Sequence, residues 1–154
     1  MNSNNEQLYL SHNFGLVSAW HSEKTIEVNL QNQEQLKSNI VNLDFSIIEL
    51  KSHIRYVNET IESYYEERFF FLPEVSLYEL MLLGLKYQQS SVIYREQTTI
   101  KVLDTKVGRV LSSFPFRTGN QLNDLESAYI AYVQSRNNTI SCVKEIVLEK
   151  IQVL

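Results

Sequence analysis

Three histidines, His12, His21 and His53, and a run of carboxylates, Glu59, Glu62, Glu66 and Glu67, are the residues best suited to proton transfer or metal binding. Imidazole and carboxylate groups do such work when several converge, because a base needs an orienting partner and a metal needs three or four ligands. The histidines share no metal-ligand spacing with one another. His53 reads as a polar residue flanking an apolar stripe, and His12 as a structural histidine on the apolar side of an alternating segment. The four glutamates, at gaps of three and four before the adjacent pair Glu66-Glu67, read as a solvated helix face, since no matching carboxylate motif occurs elsewhere. Gly15, Gly84, Gly108 and Gly119 lie too far apart for a phosphate loop or a dinucleotide fingerprint. The single cysteine, Cys142, forms no internal disulfide and is expected as a buried, inert thiol. No residue is assigned a catalytic, cofactor-binding or metal role, and the expectation is a non-enzymatic protein without a cofactor.

Composition bounds the alternatives. A chain of 154 residues suits one domain, and 44% hydrophobic against 21% charged residues suits a folded core. With 14 basic and 18 acidic residues the net charge is -4, and no basic block supports nucleic-acid binding through phosphate neutralisation. MNSNNEQLYL lacks a basic start followed by an apolar run, and no segment has the length of a membrane-spanning helix. As written, the chain is expected in the cytoplasm.

The elements that would carry these residues follow from periodicity. Residues 8–20 alternate, as do 25–30, with polar HSEK between them, which predicts an N-terminal β-hairpin over 8–30. From residue 36 the period changes. Leu36, Ile40, Leu43, Ile47, Leu50, Ile54, Val57, Ile61 and Tyr64 recur at gaps of four and three, the 3.5-residue repeat of a coiled coil. They predict a helix over 33–70 whose seam is roughly 43 Å long at about 1.5 Å per residue. Pro73 breaks it, and Ser76 with Glu79 forms a capping box that starts a second helix over 77–113. SFPFRTGN breaks the chain again before a third helix over 121–154.

Three such helices predict a mainly α fold: an antiparallel, coiled-coil-like three-helix bundle in one domain, 1–154, with a small N-terminal hairpin. Apolar surface outside the seam predicts self-association into a homo-oligomer or larger assembly. Phe69, Phe70 and Phe71 cannot all face one core from a helix end, so they are either a hydrophobic plug or an exposed docking patch. The function expected is that of a structural or assembly subunit working through protein–protein contacts.

Two segments add a resemblance. Sliding the chain by 45 places Leu77, Glu79, Leu80, Tyr87 and Ser90 on Leu122, Asp124, Leu125, Tyr132 and Ser135. YYEERFFFLPEVSLYELMLLGLKYQQSSVIYREQ and FRTGNQLNDLESAYIAYVQSRNNTISCVKEIVLEKIQVL resemble the helical-hairpin segments of TolC-type outer-membrane efflux channels. Arg117, Gly119, Asp124, Leu125, Tyr132 and Asn138 match that pattern, as do Arg68, Ser76, Glu79, Leu80 and Tyr87. The resemblance implies a barrel-forming hairpin in lipid and helices packed into a periplasmic tunnel. It makes an outer-membrane efflux or secretion component the alternative function, with the outer membrane or periplasm as its location.

Overall fold

The computed structural model describes residues 12–43, 46–137 and 140–153, with the side chains of 152 and 153 left out. The order is β1 (Phe14–Val17), α1 (Ile26–Asn42), β2 (Ile48–Asn58), β3 (Ile61–Pro73), α2 (Leu77–Lys86), β4 (Ser91–Glu96), β5 (Thr99–Asp104), β6 (Val110–Pro115), α3 (Gln121–Arg136) and β7 (Val143–Val153). The strands form one curled, antiparallel, seven-stranded sheet in the order β6-β5-β4-β1-β3-β2-β7. Strand residues outnumber helical ones, so the expected three-helix bundle is wrong.

The boundaries of the misread helices have local causes. Thr25 accepts a hydrogen bond from the Val28 amide and caps α1, so residues 25–30 open a helix instead of closing a hairpin. Of the expected hairpin only Phe14–Val17 is a strand; residues 8–11 lie outside the described residues. The predicted helix over 33–70 contains the end of α1 and then all of β2 and most of β3. Ile48, Leu50, Ser52, Ile54 and Tyr56 point to one face of β2, while Lys51, His53 and Arg55 point to the other, which is the alternation of a strand. The nine-residue seam is therefore no seam. Leu36 and Ile40 are buried on α1, Leu50 and Val57 are half-buried on β2, and Leu43, Ile61 and Tyr64 are exposed. Ile47 and Ile54 are both buried, but on opposite sides of the sheet.

The second predicted helix starts where expected. Ser76 Oγ accepts from the Glu79 amide at 3.1 Å, capping the helix, and donates to Glu79 Oε1 at 2.7 Å, so the expected pair of residues is joined through the hydroxyl. It stops at Lys86, and β4, β5 and β6 follow. The third predicted helix likewise stops at Arg136, before β7. The two stretches that resemble a channel's helical hairpins thus run as strand, helix and strand, and as helix and strand.

Both faces of the sheet are covered. α3 lies on one, packing Leu125, Ala128, Tyr129, Tyr132 and Val133 against Phe14, Ile54, Phe69, Phe71 and Ile100. α1 and α2 cover the other, where Leu36, Ile40, Leu80 and Leu83 meet Val17, Phe70, Leu72 and Val92. Phe69, Phe70 and Phe71 are all buried, so they are neither a plug at a helix end nor a docking patch. Alternation in β3 sends them to two different cores, and each contributes about 1.5–3 kcal/mol of burial.

Two glycines set the height of α2 over the sheet. A Cβ on Gly15 would lie 2.7 Å from Leu80 Cδ2, and one on Gly84 would lie 2.9 Å from Val92 Cγ1. The helix sits as low as it does because neither position carries a side chain.

Candidate functional site

Strand parity divides the glutamates that the sequence grouped together. Glu66 points outward and pairs with Lys51 Nζ at 2.7 Å, and Glu62 pairs with Arg55 at 3.0 Å. Glu67 shares the parity of Phe69 and Phe71 and lies beneath α3, fully buried. On α3, Tyr129, Tyr132 and Arg136 follow at gaps of three and four, so all three side chains reach the same side of the helix.

They converge on one oxygen. Glu67 Oε2 accepts from Arg136 Nη2 at 2.5 Å, from Tyr65 Oη at 3.0 Å and from Tyr129 Oη at 3.0 Å. Ser52, the register partner of Glu67 on β2, lies 2.6 Å from Tyr129 Oη. The other guanidinium nitrogen, Nη1, donates to Gln89 Oε1 at 2.7 Å and to the Trp20 carbonyl at 3.4 Å. The guanidinium carbon stands 4.1 Å above the Tyr132 ring. Glu67 Oε1 and Arg136 Nε are buried without a hydrogen-bond partner.

The electrostatics follow from burial. Removal from water raises the Tyr65, Tyr129 and Tyr132 hydroxyls above the usual phenolic range, and the Glu67 charge pushes in the same direction. All three stay protonated and serve as donors. Burial works against the Arg136 charge, but the Glu67 carboxylate outweighs it and raises the guanidinium. A general base must come within hydrogen-bond reach of a substrate proton, whereas Glu67 is 0% exposed and ringed by donors. The arrangement ties the last turn of α3 to β3 and to the backbone ahead of α1. Beside it lies a cleft of 170 Å³ bordered by Trp20, His21, Tyr65, Gln89 and Arg136.

The other end of α3 is held separately. Asp124 accepts from Arg117 Nη2 at 2.7 Å and from the Arg117 amide at 2.8 Å, and these bonds hold its carboxyl below the usual carboxylate range.

The histidines lie apart. His12 Nδ1 is 3.6 Å from Glu74, His21 Nε2 is 3.1 Å from the Tyr87 carbonyl, and His53 sits partly exposed between Glu66 on β3 and Glu149 on β7. Among the described residues no three histidine, cysteine or acidic side chains converge as a metal site. Cys142 is exposed, which corrects the expected buried thiol. Among the described residues no helix is long and apolar enough to cross a membrane.

One surface has the opposite character to the sealed cluster. In LYELMLLGLK only Glu79 and Lys86 are charged. Leu80, Leu83 and Gly84 face the sheet and half-buried Met81 packs against the core beside them, which leaves Leu77, Tyr78, Leu82 and Leu85 exposed on the outer side. Tyr78 is 73% exposed, Leu82 48% and Leu85 46%. A helix on a protein surface normally turns charge outward, so an outer apolar stripe at gaps of four and three departs from the usual pattern. The β5–β6 turn extends it. A Cβ on Gly108 would lie 3.8 Å from Met81 Cε, and the neighbouring Val107 is exposed.

Comparisons with models of protein families, with curated proteins and with solved structures return no match. The sequence reading missed both features. The Tyr129, Tyr132, Arg136 spacing was the only local trace of the buried cluster, and the shortage of charge within residues 77–86 was the trace of the stripe.

Proposed function

We propose that this chain is a non-enzymatic assembly subunit whose working surface is the outer face of α2. The exposed stripe of Tyr78, Leu82 and Leu85 carries the reading. Leaving those side chains in water forgoes the burial that every core position gains, at roughly 25 cal/mol per Å² of apolar area. A protein partner that covers them recovers it. The sealing of Glu67, the group with the most unusual environment, favours this reading over catalysis.

Cysteine footprinting tests it. In a Cys142→Ser background, Leu82→Cys and a control at Glu27 on α1 are labelled with a maleimide, once in the dilute purified chain and once inside intact cells. The expected result is protection of position 82 in cells with position 27 unchanged. Equal labelling at 82 in both settings overturns the proposal.

A further inference from the structure

We infer that the partner of α2 is a second copy of the same chain, bound antiparallel across a two-fold axis near Leu82; this rests on the docking role proposed for that face.

The charges bordering the stripe single out this occupant. Glu79 and Lys86 stand seven residues apart, two turns of helix, so they lie on the same flank of the stripe. An interface between identical copies must be self-complementary: what one contributes at a position, the other must match at the position facing it. When two α2 helices run antiparallel, Glu79 of each copy falls opposite Lys86 of the other, and the pair occurs twice. With the axis near Leu82 the two Leu82 side chains meet, and Tyr78 lies within one residue of facing Leu85 of the second copy, as Glu79 does of facing Lys86. The opposed signs at the two ends also fix direction, because only the antiparallel arrangement brings residues 79 and 86 of the two copies together.

The local structure leaves these groups ready. The Ser76 hydroxyl binds Glu79 Oε1, which holds the side chain at the helix start and leaves its second oxygen for another donor. Lys86 lies in the last turn, exposed, where a cation also complements the helix dipole. Gly15 and Gly84 keep α2 close to the sheet, so the stripe is backed by a packed core. α2 is about 15 Å long, and exposed Val107, the chain neighbour of the Gly108 that approaches Met81, adds apolar area nearby.

Sedimentation of the purified chain is the primary test. The wild type should form a dimer at tens of micromolar, and a chain that stays monomeric at those concentrations overturns the inference. Glu79→Lys and Lys86→Glu should each weaken the dimer about tenfold, since like charges then face each other twice. An equimolar mixture of the two variants should pair as a heterodimer at wild-type strength. If neither substitution changes association and the mixture shows no preference for the mixed pair, the antiparallel arrangement is wrong. Glu79→Lys also weakens the helix cap, so a second measurement avoids that position. Leu82→Cys in the Cys142→Ser background should form an intermolecular disulfide under mild oxidation, whereas Tyr78→Cys, away from the axis, should do so far less; the reverse ranking overturns the geometry. A monomeric chain whose position 82 is nonetheless protected in cells separates the two claims, because α2 then docks on a different protein and only the self-pairing fails.

Discussion

The two faces of the sheet break the usual placement of polar and apolar groups in opposite directions. Under α3 a carboxylate and a guanidinium are buried among tyrosines; over α2, leucine and tyrosine side chains stand in water. The first arrangement costs desolvation and returns it only when every donor is in place, so it fixes how α3 sits on β3. The second costs the fold little and, on the docking role proposed above, takes effect only when another surface covers it. Polar groups set the architecture on one side, and on the other apolar groups form the contact surface proposed above.

The largest expected effect breaks the buried side. Arg136→Leu leaves the Glu67 charge with phenolic donors alone and should cost about 3–5 kcal/mol in urea unfolding, while Glu67→Leu combined with Arg136→Leu should recover most of the loss. A single substitution that behaves like wild type would mean that the pair is open to water. Next come Ile54→Ala and Ile47→Ala, at about 2–5 kcal/mol each through cavity formation. Because the two residues lie in different cores, the double variant should lose the sum within about 0.5 kcal/mol. Strong coupling between them would place both on one face.

A pH-dependent effect sharpens the comparison at the far end of α3. Asp124 holds its proton less readily in the fold than in the open chain, because Arg117 donates to its carboxylate. Its stabilisation is therefore complete above the unfolded carboxylate range near ~3.9 and fades as pH falls through the lower folded value. Asp124→Asn should lower stability at neutral pH and flatten the acid limb of a stability–pH curve; an unchanged acid limb would contradict the assignment. Smallest of all, Leu82→Ser should move monomer stability by no more than about 0.5 kcal/mol, because the side chain lies outside both cores.

What the sequence disclosed was local. Ser76 with Glu79, Pro73 and the 113–120 break are short-range chemistry, and the starts of α2 and α3 fell where they predicted. The strands were hidden by a conflict between periods. A step of seven residues is odd, so along a strand it alternates faces: Ile47 goes to one core and Ile54 to the other. Where helices cover both sides of a sheet, apolar residues occupy both parities, and the alternation that marks a half-buried strand disappears. FFF in β3 and FGLV in β1 are such runs. Glu67 and Arg136 lie 69 residues apart, and nothing short of the register between β2, β3 and α3 brings them together. The stripe on α2 was legible in principle, but a helix drawn to residue 113 spread those leucines over a bundle that does not exist.

β1 has four residues and stands at the centre of the sheet, between β3 and β4. Its neighbours belong to two meanders, β2–β3 and β4–β5–β6, whose strands follow one another closely along the chain and can pair early. The short strand pairs with residues more than 50 positions further along the chain on both of its edges, so contact order predicts that it joins last. On that order of events the Phe-rich edge of β3 and the edge of β4 stay open until β1 docks, so topology predicts that the slowest stage of folding is also the one most exposed to misassociation.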